Sequence, residues 1–220
     1  MNAKVRHREN RTRNLIVQAA FEEIWRVGFR SASLEAILKR AKVTKGALYH
    51  YFPNKQALGY AVVDEYIRWL IYDDFLRPLV ENESDPIEAL NSIVRARNRS
   101  AKHSDTTHDY SINVLGVNAI RLGCPLNNLA QEMSPLDEEF RKKIQRVFNM
   151  WQEGLAEALR RGQAARSVSQ NIDPDTTAVF LIAAIEGTIG IAKNAQRTQI
   201  LSDSLDKLLD YINTLRHQSN

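Results

Sequence analysis

Apolar residues recur every three or four positions along nearly the whole chain, and no alternating runs flank an Asn-Gly or Asp-Gly turn, so the pattern predicts an all-helical protein. Ile16, Ala20, Ile24 and Val27 form one face of a first helix, which Gly28 can end in a left-handed conformation. Ser33 offers an N-cap for a short helix carrying Leu34, Ile37, Leu38 and Ala41. Thr44 does the same for one carrying Ala47, Leu48 and Phe52. Pro53 stops that third helix, and Asn54 caps a much longer one from about Lys55 to Leu76. Asp85-Pro86 opens a helix to about Lys102, and a polar break follows at His103 to Asp109. Pro125 and Pro135 mark boundaries before a long helix with Phe140, Ile144, Val147, Phe148, Trp151, Leu155 and Leu159 on one side, ending at Gly162. Asp173-Pro174 starts a helix that is apolar on nearly every side through Ile191. Leu205, Leu208, Leu209, Ile212 and Leu215 mark a last amphipathic one.

The segment from Ser33 to Lys55 carries the functional signal. Two helices of about seven residues joined by a tight turn are too short to stand alone, so each must pack on its neighbours. This is the helix-turn-helix format. Leu34, Ile37, Leu38, Val43, Leu48 and Phe52 are expected to form a small core with Ile16, Ala20 and Ile24. Thr44, Lys45, Tyr49, His50 and Tyr51 then remain as an outward face of hydrogen-bonding side chains suited to a major groove, with Gly46 and Ala47 small enough for close approach.

Charge supports that reading. The net charge of +4 divides into +8 over residues 1–56 and −4 over the remainder. A basic first quarter points to a polyanion, with nucleic acid ahead of an anionic membrane surface and a solvated face as the bland alternative. The composition, 44% hydrophobic and 25% charged with one cysteine, excludes disorder and a disulfide scaffold. No signal peptide is expected at the start. The most apolar stretch, Ala178 to Ile185, is shorter than the roughly 18 residues of a bilayer span, so neither a membrane span nor a membrane partner is expected. The expected location is the cytoplasm, at the nucleoid. No metal or cofactor site and no enzymatic motif is recognised, whether a phosphate-binding glycine loop, a Gly-x-Ser-x-Gly elbow or His-Glu-x-x-His.

The segment resembles the TetR family of transcriptional regulators. The resemblance rests on Lys45-Gly46-Ala47-Leu48 followed by Tyr49, Phe52 and Lys55, and it covers about Arg13 to Leu58. The pattern departs at Lys42, where the family commonly has glycine, and at Tyr51, where it often has histidine. The resemblance implies a three-helix DNA-binding domain, residues 1–55, and a larger helical effector-binding and dimerisation domain, residues 56–220. It implies that Ser33, Thr44, Lys55 and the Gly46 backbone hold phosphates, while Lys45, Tyr49 and His50 sit nearest the bases. Tyr51 is shared between a DNA role and packing. Arg6, Arg8, Arg11 and Arg13 are read either as an arm along the DNA or as making no contact.

One recognition helix reaches only a few base pairs, so a homodimer on a palindromic operator is expected. By resemblance its interface uses Ala183, Gly187 and Gly190 of one helix and Leu205, Leu208 and Ile212 of the last, with an intramolecular core as the alternative. A small effector would release the protein, making it a repressor, and Trp69, Tyr72, Tyr110, Phe148 and Trp151 are the aromatics available to a pocket. The competing function is a non-specific nucleoid-type binder or helical interaction protein. Cys124 is either a redox sensor or a buried inert thiol. His103, Asp105, His108 and Asp109 read as a solvated loop or as part of a metal site.

Overall fold

The computed structural model describes residues 3–81, 85–102 and 117–217. It is helical throughout: α1 spans Ala3–Val27, α2 Leu34–Ala41, α3 Lys45–Tyr51 and α4 residues 55–81. Further helices span Pro86–Lys102, Val117–Leu122, Pro125–Met133, Glu138–Ala164, Pro174–Ala195 and Thr198–Thr214. Among the described residues there is no β-strand, only an isolated antiparallel bridge between Val168 and Arg216.

Local capping sets the helix starts. Ser33 Oγ accepts from the Ala36 N–H at 3.4 Å, Thr44 Oγ1 from Ala47 at 3.2 Å, Asn54 Oδ1 from Ala57 at 2.8 Å and Asp173 Oδ1 from Thr176 at 2.8 Å. Gly28 ends α1 at φ 83°. Lys42 ends α2 in the left-handed region at φ 55°, ψ 41°, a conformation that costs a side-chain-bearing residue about 1 kcal/mol. Replacing Lys42 by glycine is therefore expected to raise stability by about 1 kcal/mol in urea melts. A loss would mean that the Lys42 side chain makes a stabilising contact.

Two features lie beyond the local pattern. α4 contains two π-helical stretches, Val62–Ile67 and Tyr72–Leu76, where the N–H groups of Arg68 and Arg77 reach back five residues to the Val63 and Tyr72 carbonyls. The Glu138–Ala164 helix also runs past Gly162, and the turn comes at Arg166 with φ 57°. Gly162 is required for another reason: a Cβ there would collide with Val168 and Pro86.

Packing groups the chain into two units, Met1–Trp69 with Asn128–Val147, and Leu70–Asn127 with Phe148–Asn220. In the first, Ile16, Ala20, Ile24, Ile37, Leu48 and Phe52 are buried as expected, while Leu34, Leu38 and Val43 are half-buried. The later segment completes this core. The Phe140 ring lies 4.7 Å from Phe29 and 4.8 Å from Tyr60, and Gly59 lets α4 pass beside them. The Glu132 carboxylate accepts from the N–H groups of Phe29 and Arg30, each at 2.8 Å, and the Tyr60 hydroxyl donates to Asp137 at 2.9 Å. In the second unit, the Pro86–Lys102 helix packs on the last helix through Asn91 to Asn213 at 2.9 Å and Asn98 to Asp206 at 2.6 Å.

Candidate functional site

The helix-turn-helix presents one open face. On α3, Lys45, Gly46, Tyr49 and His50 are exposed, Leu48 is buried beneath them and Tyr51 is half-buried. The Lys45 ammonium lies 5.8 Å from the centre of the Tyr49 ring, and His50 meets Tyr51 edge-on at 4.9 Å. A Cβ on Gly46 would meet nothing nearer than Thr44 Oγ1 at 4.0 Å, so the chain's own packing does not require glycine there. Ser33 and Thr44 spend an oxygen lone pair on capping, which leaves each hydroxyl proton free to donate outward.

Two nearby cations are committed to the fold. Lys55 Nζ donates to the Arg30 carbonyl at 3.0 Å and lies 5.1 Å over the Phe29 ring, and partial burial lowers its pKa against the opposing pull of Glu132. Lys55 thus ties α4 to the turn after α1, with two ammonium protons left for other acceptors. Arg13 grips both oxygens of Glu65 with its guanidinium and stacks 5.1 Å over Phe52. The hydrogen bonds to Glu65 raise its pKa further, so Arg13 is a structural clamp rather than part of an arm. α1 extends back to Ala3, which places Arg6, Arg8 and Arg11 on a helix.

The second unit holds two adjoining cavities. One has room of about 10 Å³ among apolar side chains such as Ile189 and Leu201, with the apolar stem of Arg97 in its wall. The other, also of about 10 Å³, reaches Trp151 and Leu155; both share Phe75, Ile93, Val94 and Ile185. Arg97 Nη2 donates to the Asp74 carbonyl at 2.8 Å and pairs with its carboxylate at 2.9 Å. Of the aromatics singled out in the sequence, Trp151 lines a cavity. Trp69 and Tyr72 are 46% and 42% exposed, because the inner side of α4 there belongs to Ile71 and Phe75. Phe148 is half-buried outside the lining residues, and Tyr110 lies outside the described residues.

Comparison with known proteins settles the family. Residues 16–62 match the family of bacterial regulatory proteins described as tetR family, and residues 106–207 match the tetracyclin repressor-like C-terminal domain. The transcriptional regulator AcuR of Cereibacter sphaeroides is 32% identical over 178 residues, spanning 81% of this chain and 74% of that protein. The chain belongs to the TetR family. It is a DNA-binding transcriptional regulator with a helix-turn-helix head. The HTH-type transcriptional repressor DhaR of a Mycobacterium species is 26% identical over 162 residues, spanning 74% of this chain and 72% of its own. The crystal structure of regulatory protein TetR from Rhodobacter sphaeroides superposes with a TM-score of 0.70 at 29% identity, covering 92% of this chain and 97% of that one.

Beyond its DNA head, this TetR-family chain has an apolar outer face on the Pro174–Ala195 helix. Val179, Phe180 and Ile191 are 49%, 52% and 63% exposed, and Ala183, Gly187 and Gly190 lie exposed along the same side. A Cβ at Gly187 or Gly190 would meet nothing within 4 Å. The helix has 22 residues and a mean hydropathy of 1.5 in its most apolar window, long and apolar enough by composition to cross a membrane, contrary to the shorter stretch expected from sequence. Its other side, with Leu181, Ile185 and Ile189, is buried in the chain's own core. Leu205, Leu208 and Ile212 are likewise buried inside the chain, 8% exposed or less, which removes them from any face open to a second copy.

Cys124 is fully buried. Burial first, and the Glu186 carboxyl beside it second, push its pKa well above the ordinary thiol range, the reverse of an activated thiolate. Glu186 is 8% exposed, and burial lifts its pKa to about 7 against the opposing pull of Cys124 and Asn127 beside it. No group of three or more His, Cys, Asp or Glu among the described residues can hold a metal; His103, Asp105, His108 and Asp109 lie outside them. Sequence reading missed Arg97, Glu132 and Glu186, whose partners stand 23, 103 and 62 positions away along the chain.

Proposed function

We propose that this protein is a homodimeric repressor that binds a palindromic operator and leaves it when a small molecule enters the second unit. Residues 1–55 would read DNA and residues 56–220 would bind the effector and dimerise. In this reading Lys45, Tyr49 and His50 face the base edges, while Ser33, Thr44, Lys55 and the Gly46 backbone meet phosphates, with Tyr51 at the margin. The carrying observation is the exposed Lys45, Gly46, Tyr49 and His50 face on a buried scaffold, centred on a glycine that the chain's own packing does not need. Glycine inside a helix costs up to about 1 kcal/mol relative to alanine, so close approach of something outside the chain is the reason to keep it.

The dimer reading rests on the same logic. Gly187 and Gly190 stand in a helix with open space beside them, flanked by exposed Val179, Phe180 and Ile191, as suits close packing against a second copy. Leu205, Leu208 and Ile212 leave that interface. The ring of Tyr211, 4.9 Å from Phe180, takes their place on the last helix. Relatives named as transcriptional repressors support repression and a regulator rather than an enzyme; in this reading the protein works in the cytoplasm, on DNA.

Selection of bound duplexes from sheared genomic DNA, followed by footprinting, tests the whole reading. An inverted repeat is the expected outcome; unrelated fragments without symmetry would favour the non-specific binder. Gly46→Ala is expected to leave thermal stability unchanged or slightly higher while weakening operator binding about tenfold. Tyr49→Ala should cut the preference for operator over random DNA by about 1–2 kcal/mol; an equal loss on both DNAs would reassign Tyr49 to a backbone contact.

A further inference from the structure

We propose that Glu132 is a positioning residue for DNA binding, holding the turn on which Lys55 rests so that the Lys55 ammonium meets a phosphate. The inference rests on reading Lys55 as a phosphate contact and adds what sets its place. Lys55 touches two residues of the turn after α1: its ammonium lies 5.1 Å over the Phe29 ring and donates to the Arg30 carbonyl at 3.0 Å. The Glu132 carboxylate grips the same two residues through their backbone. One oxygen accepts from the Phe29 N–H and the other from the Arg30 N–H, each at 2.8 Å, across 103 and 102 positions of chain. The cation and the carboxylate thus share one platform, and whatever loosens the carboxylate loosens the seat of the cation.

Gly28 shapes this seat. At φ 83° it presents the next two N–H groups to a single carboxylate, an anion-binding arrangement, and a Cβ on it would lie 3.0 Å from Glu132 Oε2 and 3.2 Å from Oε1. The Gly28 carbonyl accepts from the Ala32 N–H at 3.0 Å, which closes the turn just ahead of the Ser33 cap. A carboxylate fits here because it offers an acceptor to each N–H, whereas an amide of the same length would set its NH2 group against one of them. Glu132 also attracts the Lys55 ammonium. By charge alone it therefore opposes DNA, since an anion on a basic head repels phosphates and offsets a cation that would pair with them. Position and charge predict opposite effects of altering it.

The test is titration of the full-length protein with a random-sequence duplex over a range of salt, read as affinity and as the slope of log K against log salt. Random DNA serves because phosphate contacts carry no sequence, so the result does not depend on finding an inverted repeat. Glu132→Gln keeps the reach and loses the charge and one acceptor; Glu132→Asp keeps the charge and loses the reach. Both are expected to bind about tenfold more weakly and to flatten the slope by about one unit per head, as Lys55→Ala does. Adding Lys55→Ala to either should cost nothing further, which general loosening of the head would not give. Circular dichroism at the assay temperature selects folded variants, and either one suffices. Tighter binding by Glu132→Gln beside unchanged binding by Glu132→Asp would reduce Glu132 to its charge and overturn the proposal, as would losses that add in full to that of Lys55→Ala. If Lys55→Ala itself leaves the slope unchanged, the phosphate role of Lys55 falls and this inference with it. A flattened slope in Lys55→Ala beside parental behaviour in both Glu132 variants sinks this inference alone.

Discussion

Gly59→Ala is expected to destabilise the protein by about 2 kcal/mol and to lower operator affinity with it. A Cβ at position 59 would lie 2.5 Å from Phe29 Cε2 and 2.6 Å from Phe140 Cζ. Neither ring can step aside. Phe140 is fully buried and wedged between Phe29 and Tyr60, while Phe29 is 5% exposed and its N–H is held by Glu132. Overpacking of this kind costs about 1–3 kcal/mol or more, and the helix-forming advantage of alanine returns at most about 1 kcal/mol. Displacement of Phe29 also disturbs the turn that leads to the Ser33 cap, which explains why DNA binding should fall with stability. Urea denaturation and operator titration of the variant check both parts. A protein as stable as the parent would show that the two rings have room that the packing denies. Gly46→Ala is the contrasting case, since it has free space and only the DNA to lose.

Glu186→Gln is expected to stabilise the protein by up to about 3 kcal/mol at pH 8, with little change at pH 5. The sign follows from the direction of the shift. Burial lifts the Glu186 carboxyl from 4.5 to about 7, so in this range the folded state holds a proton that the unfolded chain has released. The stability tied to that proton is complete below pH 4.5 and is lost as pH rises through about 7. Above that, folding carries a buried anion with no cation beside it among the causes of its shift. Cys124, beside it, stays a thiol across the range because its own pKa is raised by burial and by Glu186. Glutamine has the same shape without the charge. Asp85, Glu138 and Asp173, whose pKa values are lowered, give the opposite slope in both proteins, so the quantity to follow is the difference between them in urea melts at pH 5 and 8. Parallel curves would mean that Glu186 ionises normally.

Much of the DNA head was legible in the sequence because its signals are local. Ser33, Thr44 and Asn54 act on N–H groups three residues ahead, and the Lys45 to Lys55 run marks the recognition helix and the start of the next. Periodicity also located the helices after Asp85 and Asp173. It failed where the cause is a neighbour distant in the chain. Gly162 reads as a terminator, yet it is a contact point for Val168 and Pro86. Lys55 reads as a phosphate contact and Arg13 as part of a basic arm or without contact, yet within the chain one holds the Arg30 carbonyl and the other Glu65.

The chain's own order of residues determined that it is all-helical, that it has a capped helix-turn-helix with a basic flank, and which side chains crown α3. Those properties follow from interactions within one turn and from composition, which any stretch of chain carries with it. Tertiary structure alone decided which face of each helix is spent. It buried Leu205, Leu208 and Ile212 and exposed Gly187 and Gly190; it turned Trp69 and Tyr72 outward and Trp151 into a cavity; it set Arg97 against Asp74. An amphipathic period says that a helix has an apolar side, but the identity of what covers that side depends on the path of the whole chain.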